Sequence, residues 1–248
     1  MDSSSTIPAI AECGPVDPDR FREEIVASER PVVRRGLAAA IRCWAPGRGA
    51  DRPAGDWLPV LLPRCDGGLQ IPKRFEPLSA LLDKLLRLRT VDAPQALYAG
   101  AAAAGTNLPD WLDENPLPFP IDEAAPRICV GSRTLTNTHF DECADVAIVI
   151  GGWRRFTLFP PEQVDNLDVG PLHFTIAGPP VSMVDLLHPD FERYPRFATA
   201  LEHAVMAELG PGDALFIPPL WWHDVEALDG VNVRMSYWWE TPHCSMPC

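Results

Sequence analysis

Three residues of this 248-residue chain have the types and spacing to hold one metal ion: His139, Asp141 and His223. The first two lie in the segment Thr136-Asn137-Thr138-His139-Phe140-Asp141. On an extended strand, side chains two apart point to one face. An imidazole nitrogen and a carboxylate oxygen can then bind one ion. Alone, this H-x-D pattern also reads as a hydrogen-bonded His–Asp pair. A second segment changes the weighting. Gly210-Pro211-Gly212-Asp213 reads as a turn, Ala214 to Ile217 as an apolar strand and Pro218-Pro219 as a corner, and His223 follows on a further strand. Two His and one carboxylate on one face of a metal leave three positions open, the facial triad of non-haem Fe(II) oxygenases. Open positions are what binding a co-substrate and O2 requires.

A third segment, Gly151-Gly152-Trp153-Arg154-Arg155-Phe156-Thr157-Leu158-Phe159, places two arginines on opposite faces of a strand. Arg154 shares its face with Phe156 and Leu158. A cation inside an apolar barrel needs an anionic partner. A dicarboxylate co-substrate would supply one, and Arg can grip a carboxylate through two parallel hydrogen bonds. The competing reading is a pair of surface arginines matched to local acids.

The elements that must position these residues read as short strands. From Arg127 onward, β-like runs alternate with turns: Arg127 to Val130, Val146 to Ile150, Trp153 to Phe159, Ala214 to Ile217, Trp222 to Ala227 and Val231 to Trp239. Short strands at such spacing suggest a barrel or sandwich. One helix is expected among them, from about Pro189 to Glu208. Upstream, Asp17-Pro18 opens a capped helix, and Arg30 to Leu37 reads as a strand closed by Gly36. Ala45 to Asp56 reads as a loop. Pro77 to Arg89 is a helix with Leu78, Leu81, Leu82, Leu85 and Leu86 along one face. Ala96 to Ala99 is a short strand. The expected organisation is a single domain over 1–248: an N-terminal helix-strand extension, about 1–126, leading into a β core, about 127–240. Trp221, Trp222, Trp238 and Trp239 cluster around the distal strand, as core aromatics or as a substrate wall.

Composition narrows the partners. Apolar residues make up 46%, enough for a sizeable core, and 28 prolines favour many turns. A net charge of −13 speaks against direct nucleic-acid binding. No basic leader with an apolar run opens the chain, and the most apolar strand, Val146 to Ile150, is too short to span a bilayer. No membrane association is expected. The seven cysteines are odd in number and include no C-x-x-C pair, so reduced thiols in a cytoplasmic protein are expected. His243, Cys244 and Cys248 are a weaker alternative metal group near the C-terminus.

Taken in order, these segments resemble the cupin-like JmjC-type Fe(II)/2-oxoglutarate-dependent oxygenases, the group that includes the factor-inhibiting asparaginyl hydroxylase. The resemblance runs from Phe21–Leu37 through Tyr98, Val130-Gly131, His139–Asp141 and Gly152–Pro161 to Gly212–Trp239. It implies a mainly β fold with flanking helices, a double-stranded β-helix or jelly roll. It implies His139, Asp141 and His223 as iron ligands, Thr136 as a hydroxyl on the distal carboxylate of 2-oxoglutarate, Arg154 as its cation and Tyr98 as the completing phenol. The implied activity is hydroxylation of a peptide or protein side chain, or of a small molecule, with succinate and CO2 as co-products. A metal-bearing binding module without turnover is the alternative; a cupin enzyme that needs no 2-oxoglutarate is a third reading, against which Arg154 and Thr136 argue. The sequence departs from the asparaginyl hydroxylase at Arg154, a Lys there, and at Asp145 and Ser236, both Asn there. Asp224 follows His223, where relatives often carry a second His. A carboxylate at position 145 repels a dicarboxylate unless a cation offsets it. The chain stops soon after Trp239, without the C-terminal helices that dimerise such enzymes, which leaves the oligomeric state open.

Overall fold

The computed structural model describes residues 7–38, 58–61, 73–91, 96–108, 111–115, 124–172, 175 and 178–241. Its strands, in chain order, are β1 (Val32–Arg34), β2 (Leu58–Leu61), β3 (Lys73–Glu76), β4 (Tyr98–Ala103), β5 (Ala125–Gly131), β6 (Leu135–His139), β7 (Ala144–Gly151), β8 (Arg154–Phe159), β9 (Val205–Leu209), β10 (Ala214–Ile217), β11 (Trp222–Ala227) and β12 (Asn232–Trp239). They form two antiparallel sheets. The larger runs β1-β10-β7-β12-β5-β4-β2-β3 and the smaller β6-β11-β8-β9. Consecutive strands from β5 to β8 fall alternately in the larger and the smaller sheet. This winding is that of a double-stranded β-helix, a jelly roll whose two sheets face one another.

The period-2 pattern of each strand separates an inside from an outside. On β7, Ala144, Val146 and Ile148 pack outward in one apolar cluster, while Ala147 and Val149 pack inward in another. The outer cluster is covered by the helix Leu78–Leu88, whose Leu81, Leu82 and Leu85 are buried. The inner cluster joins Ala147 and Val149 to Phe156 and Leu158 of β8, Leu215 and Ile217 of β10 and Val225 of β11. A third cluster, with Phe159, Leu167, Phe197 and Trp222, packs on the outer face of the smaller sheet. Gly152 makes the turn from β7 to β8 at φ 74°; a Cβ there would sit 2.5 Å from Val231 O and from Asn232 Oδ1. A side chain is excluded at that turn by space and by backbone conformation together.

Three expectations need correction. The helix predicted over Pro189 to Glu208 is confined to Phe197–Glu202, and Val205–Leu209 is strand β9. Pro195 would fall inside that helix, where it removes a backbone hydrogen bond, and Ala207 and Leu209 instead bury their side chains in the inner cluster as an edge strand beside β8. The helix opened by Asp17-Pro18 forms, with Asp17 Oδ1 accepting from Arg20 N–H at 2.9 Å, but it widens to a π-helix over Phe21–Ile25. The thiols are not all reduced: Cys143 is disulfide-bonded, whereas Cys13 and Cys129 are free. The loop Ala45–Asp56 and the group His243, Cys244 and Cys248 lie outside the described residues. No helix among the described residues is long and apolar enough to cross a membrane.

Candidate metal centre

β6 ends on His139, which stands directly across from His223 of β11. The two imidazole rings lie with centroids 4.2 Å apart. Asp141 lies just past the strand rather than in it. Its carbonyl accepts the Leu220 N–H at 2.9 Å, and its Oδ2 lies 3.7 Å from His223 Nε2. One donor atom from each of the three residues falls within 4.8 Å of the others. Each imidazole is oriented by backbone: His139 Nδ1 lies 2.7 Å from Asn137 O and His223 Nδ1 lies 3.0 Å from Trp221 O. A carbonyl only accepts, so Nδ1 carries the hydrogen and Nε2 keeps its lone pair for a metal. Burial, and then the neighbouring His139, lower the proton affinity of His223. The neutral imidazole is the form that binds metal. Two nitrogens and one oxygen, open on one side, fit Fe(II).

A bulge between β6 and β11 brings Thr136 to this face. His223 pairs with His139 and Val225 with Thr136, so two residues on β11 match three on β6. The extra residue turns Thr136, three before His139, to the same side as the triad. Arg154 faces inward with Phe156 and Leu158, as its strand pattern predicts. It is 2% exposed, and its Nε has no hydrogen-bond partner among the described residues. Arg155 points outward and pairs with Glu208 and Glu226. Tyr98, opposite Gly131 across β4 and β5, also faces inward. A Cβ on Gly131 would sit 2.9 Å from its ring, and one on Gly100 2.7 Å, so two glycines make room for the phenol. Burial, with the neighbouring Cys129 thiol, holds the Tyr98 hydroxyl protonated well above the usual range. It is therefore a hydrogen-bond donor.

The inner face of β12 adds groups that the motifs did not single out as site residues. Asn232, Arg234, Ser236 and Trp238 alternate with Val233, Met235, Tyr237 and Trp239, and the latter four pack in the outer cluster. Ser236 Oγ donates to Asp145 Oδ2 at 3.0 Å, and Tyr237 N–H donates to Asp145 Oδ1 at 3.1 Å. The two departures at positions 145 and 236 are thus one hydrogen-bonded pair. Burial pushes the Asp145 carboxyl up to about 7, with Asp141 in the same direction, while Arg234 and Ser236 work against the rise. Arg234 stands across from Cys129, and its Nη2 lies 3.4 Å from the Cys129 sulfur. The signal for Arg234 was the polar alternation Asn-x-Arg-x-Ser-x-Trp along a strand otherwise apolar. Of the four tryptophans, Trp222 is core against Phe140, Trp239 packs on Phe21 and Phe216, and Trp221 donates to Glu29 O. Trp238 shares the inner face with Arg234.

Asp224 points away from the site. Burial pushes its carboxyl up to about 7, with Glu226 and Asp185 adding to the rise. An acid with a raised folded pKa holds its proton more tightly in the folded state. Stability therefore falls as pH climbs from about 4 to about 7. Asp224→Asn should raise the melting temperature over the wild type at pH 8 and change it little near pH 4. An equal shift at both pH values would contradict this.

A profile for the cupin-like domain matches residues 69–244, which contain the triad, Thr136, Arg154 and Tyr98. The chain belongs to the cupin-like domain family. Several longer proteins are similar to part of the chain. Human HSPB1-associated protein 1 is 36% identical over 106 residues, covering 42% of this chain and 21% of the relative. Lysine-specific demethylase JMJ31 of Arabidopsis thaliana is 30% identical over 110 residues, 44% of this chain and 20% of the relative. The tRNA wybutosine-synthesizing protein 5 of Danio rerio is 34% identical over 106 residues, 42% of this chain and 29% of the relative. The matched stretch spans less than a third of each of these relatives.

Proposed function

We propose that this cupin-like chain is an Fe(II)- and 2-oxoglutarate-dependent hydroxylase acting on a peptide or protein side chain or on a small molecule. The observation that carries the reading is Arg154. It is a buried guanidinium without a hydrogen-bonded partner at Nε among the described residues, on the same inner face as an open His–Asp–His triad. Burying an unpaired charge is costly. A dicarboxylate with its keto-acid end at the metal and its far carboxylate at Arg154 removes that cost.

His139, Asp141 and His223 would hold the iron. When bound, the iron supplies the redox chemistry by which O2 and 2-oxoglutarate convert a substrate C–H to C–OH, giving succinate and CO2. The protein's own residues do the positioning. Asn137 O and Trp221 O fix the imidazoles. Arg154 binds the distal carboxylate, while Thr136 and Tyr98 each donate a hydroxyl hydrogen to it. The inner cluster of Ala147, Val149, Phe156 and Leu158 keeps water from the reacting atoms. Leu220 N–H holds the Asp141 backbone in place beside the metal ligands.

The second reading is a metal-bearing binding module without turnover. Asp145, which lies close enough to Asp141 to raise its own pKa, is the observation that favours it. Succinate release separates the two. Aerobic incubation with Fe(II), 2-oxoglutarate and pools of candidate peptides and small molecules should yield succinate above a metal-free control. Tight 2-oxoglutarate binding with no succinate from any pool would sink the hydroxylase and leave the module.

A further inference from the structure

We propose that Arg234 is a second cation for the co-substrate's distal carboxylate, so that the barrel seats this anion between two guanidiniums, Arg234 and Arg154. The proposal rests on the 2-oxoglutarate reading above.

Arg234 lies on the inner face of β12, between Cys129 of β5 and Val149 of β7 in register. It is 7% exposed, and among the described residues its Nε has no hydrogen-bond partner. Its one hydrogen bond among the described residues goes to the Cys129 sulfur at 3.4 Å, a weak acceptor. Two buried guanidiniums thus turn donors into the same interior without an adequate acceptor. Burial first, and then like-charge repulsion from Arg234, lowers the proton affinity of Arg154, and Tyr98 faces the same interior across from Gly131. Such an arrangement is costly unless an anion sits between the charges.

The level of Arg234 in the barrel also fits. Asp145 lies toward the triad end: it starts β7 shortly after Asp141, and its partner Ile217 ends β10, from which the chain runs on to His223 at the start of β11. Arg154 lies at the other end, opposite Leu209 and Ala227. Arg234 stands between, in register with Val149 on the inner face of β7, past Asp145 and near the Gly152 turn that leads to Arg154. Asp145, held by Ser236 and Tyr237 N–H, offsets part of its charge from the triad side. Arg234 Nε stays unmet among the described residues. The carboxylate at position 145 is therefore tolerated because Arg234 accompanies it.

This seat should select dianionic 2-oxo acids. The test is calorimetric binding of 2-oxoglutarate and of the monoanionic 2-oxobutyrate to Mn(II)-loaded protein, wild type against Arg234→Gln and Arg234→Lys. Mn(II) affinity should be unchanged in both variants. Arg234→Gln should weaken 2-oxoglutarate by roughly thirtyfold or more, with little effect on 2-oxobutyrate, and Arg234→Lys should recover part of the loss. Unchanged 2-oxoglutarate affinity in Arg234→Gln would overturn the proposal, and if that variant does not fold, Arg234→Met decides by the same criterion. Equal weakening of both acids would overturn it too. Failure of the wild type itself to bind 2-oxoglutarate would instead remove the reading on which the proposal rests.

Discussion

Replacing His139 by Ala is expected to abolish stoichiometric Fe(II) binding while leaving the barrel folded. His139 ends β6 and is only half-buried. It belongs to none of the three apolar clusters. Its loss therefore removes a ligand without opening a hole in the core. Deleting a group that merely orients a metal ligand costs about 10–100-fold in affinity; deleting the ligand should cost more. Two donors, Asp141 and His223, would remain 3.7 Å apart, too few to hold a labile divalent ion against water. Equilibrium dialysis of Fe(II) or Mn(II) under anaerobic conditions checks this, with circular dichroism to confirm the fold. A variant that bound one equivalent as tightly as the wild type would place the metal elsewhere.

The second large effect is expected at Arg154, with opposite signs in two measurements. Arg154→Met should leave metal binding intact and weaken 2-oxoglutarate by about 3 kcal/mol, roughly 150-fold, the scale of losing one partner of a buried charge pair. The same substitution should raise the stability of the ligand-free protein. Burial, with Arg234 adding to it, already lowers the Arg154 guanidinium to about 10, so the ligand-free fold carries an uncompensated charge that Met would replace with apolar volume. Chemical denaturation without ligand and calorimetry with ligand together test the pair of effects. A variant less stable than the wild type without ligand would mean that Arg154 has a structural partner.

The parts of the site that were legible in the sequence are those carried by local pattern. His139 and Asp141 stood two apart, His223 followed a turn, a strand and a proline corner, and Arg154 shared a period-2 face with Phe156 and Leu158. Each is a short-range geometric constraint, and strand registers turn them into one site. What was not legible depends on contacts between distant segments. Asp141 was expected in the strand but lies beyond its end, held by Leu220 N–H. β9 looked helical because residues 197–209 carry both a helical spacing and an alternating run, and only the free edge of β8 decides between them. Asp145 and Ser236 read as two separate departures; the pairing of β7 with β12 makes them one hydrogen-bonded unit. Arg234 was overlooked because both faces of β12 are buried, and alternation alone does not say which face lines a site.

An open metal site that shares its cavity with a bound 2-oxo acid has a visible spectral signature. Anaerobic protein with one equivalent of Fe(II) should develop the weak visible metal-to-ligand charge-transfer band when 2-oxoglutarate is added. The band should saturate at one equivalent of iron, be absent in His139→Ala, and need far more 2-oxoglutarate in Arg154→Met. Stoichiometric iron binding with no band at any 2-oxoglutarate concentration would contradict it.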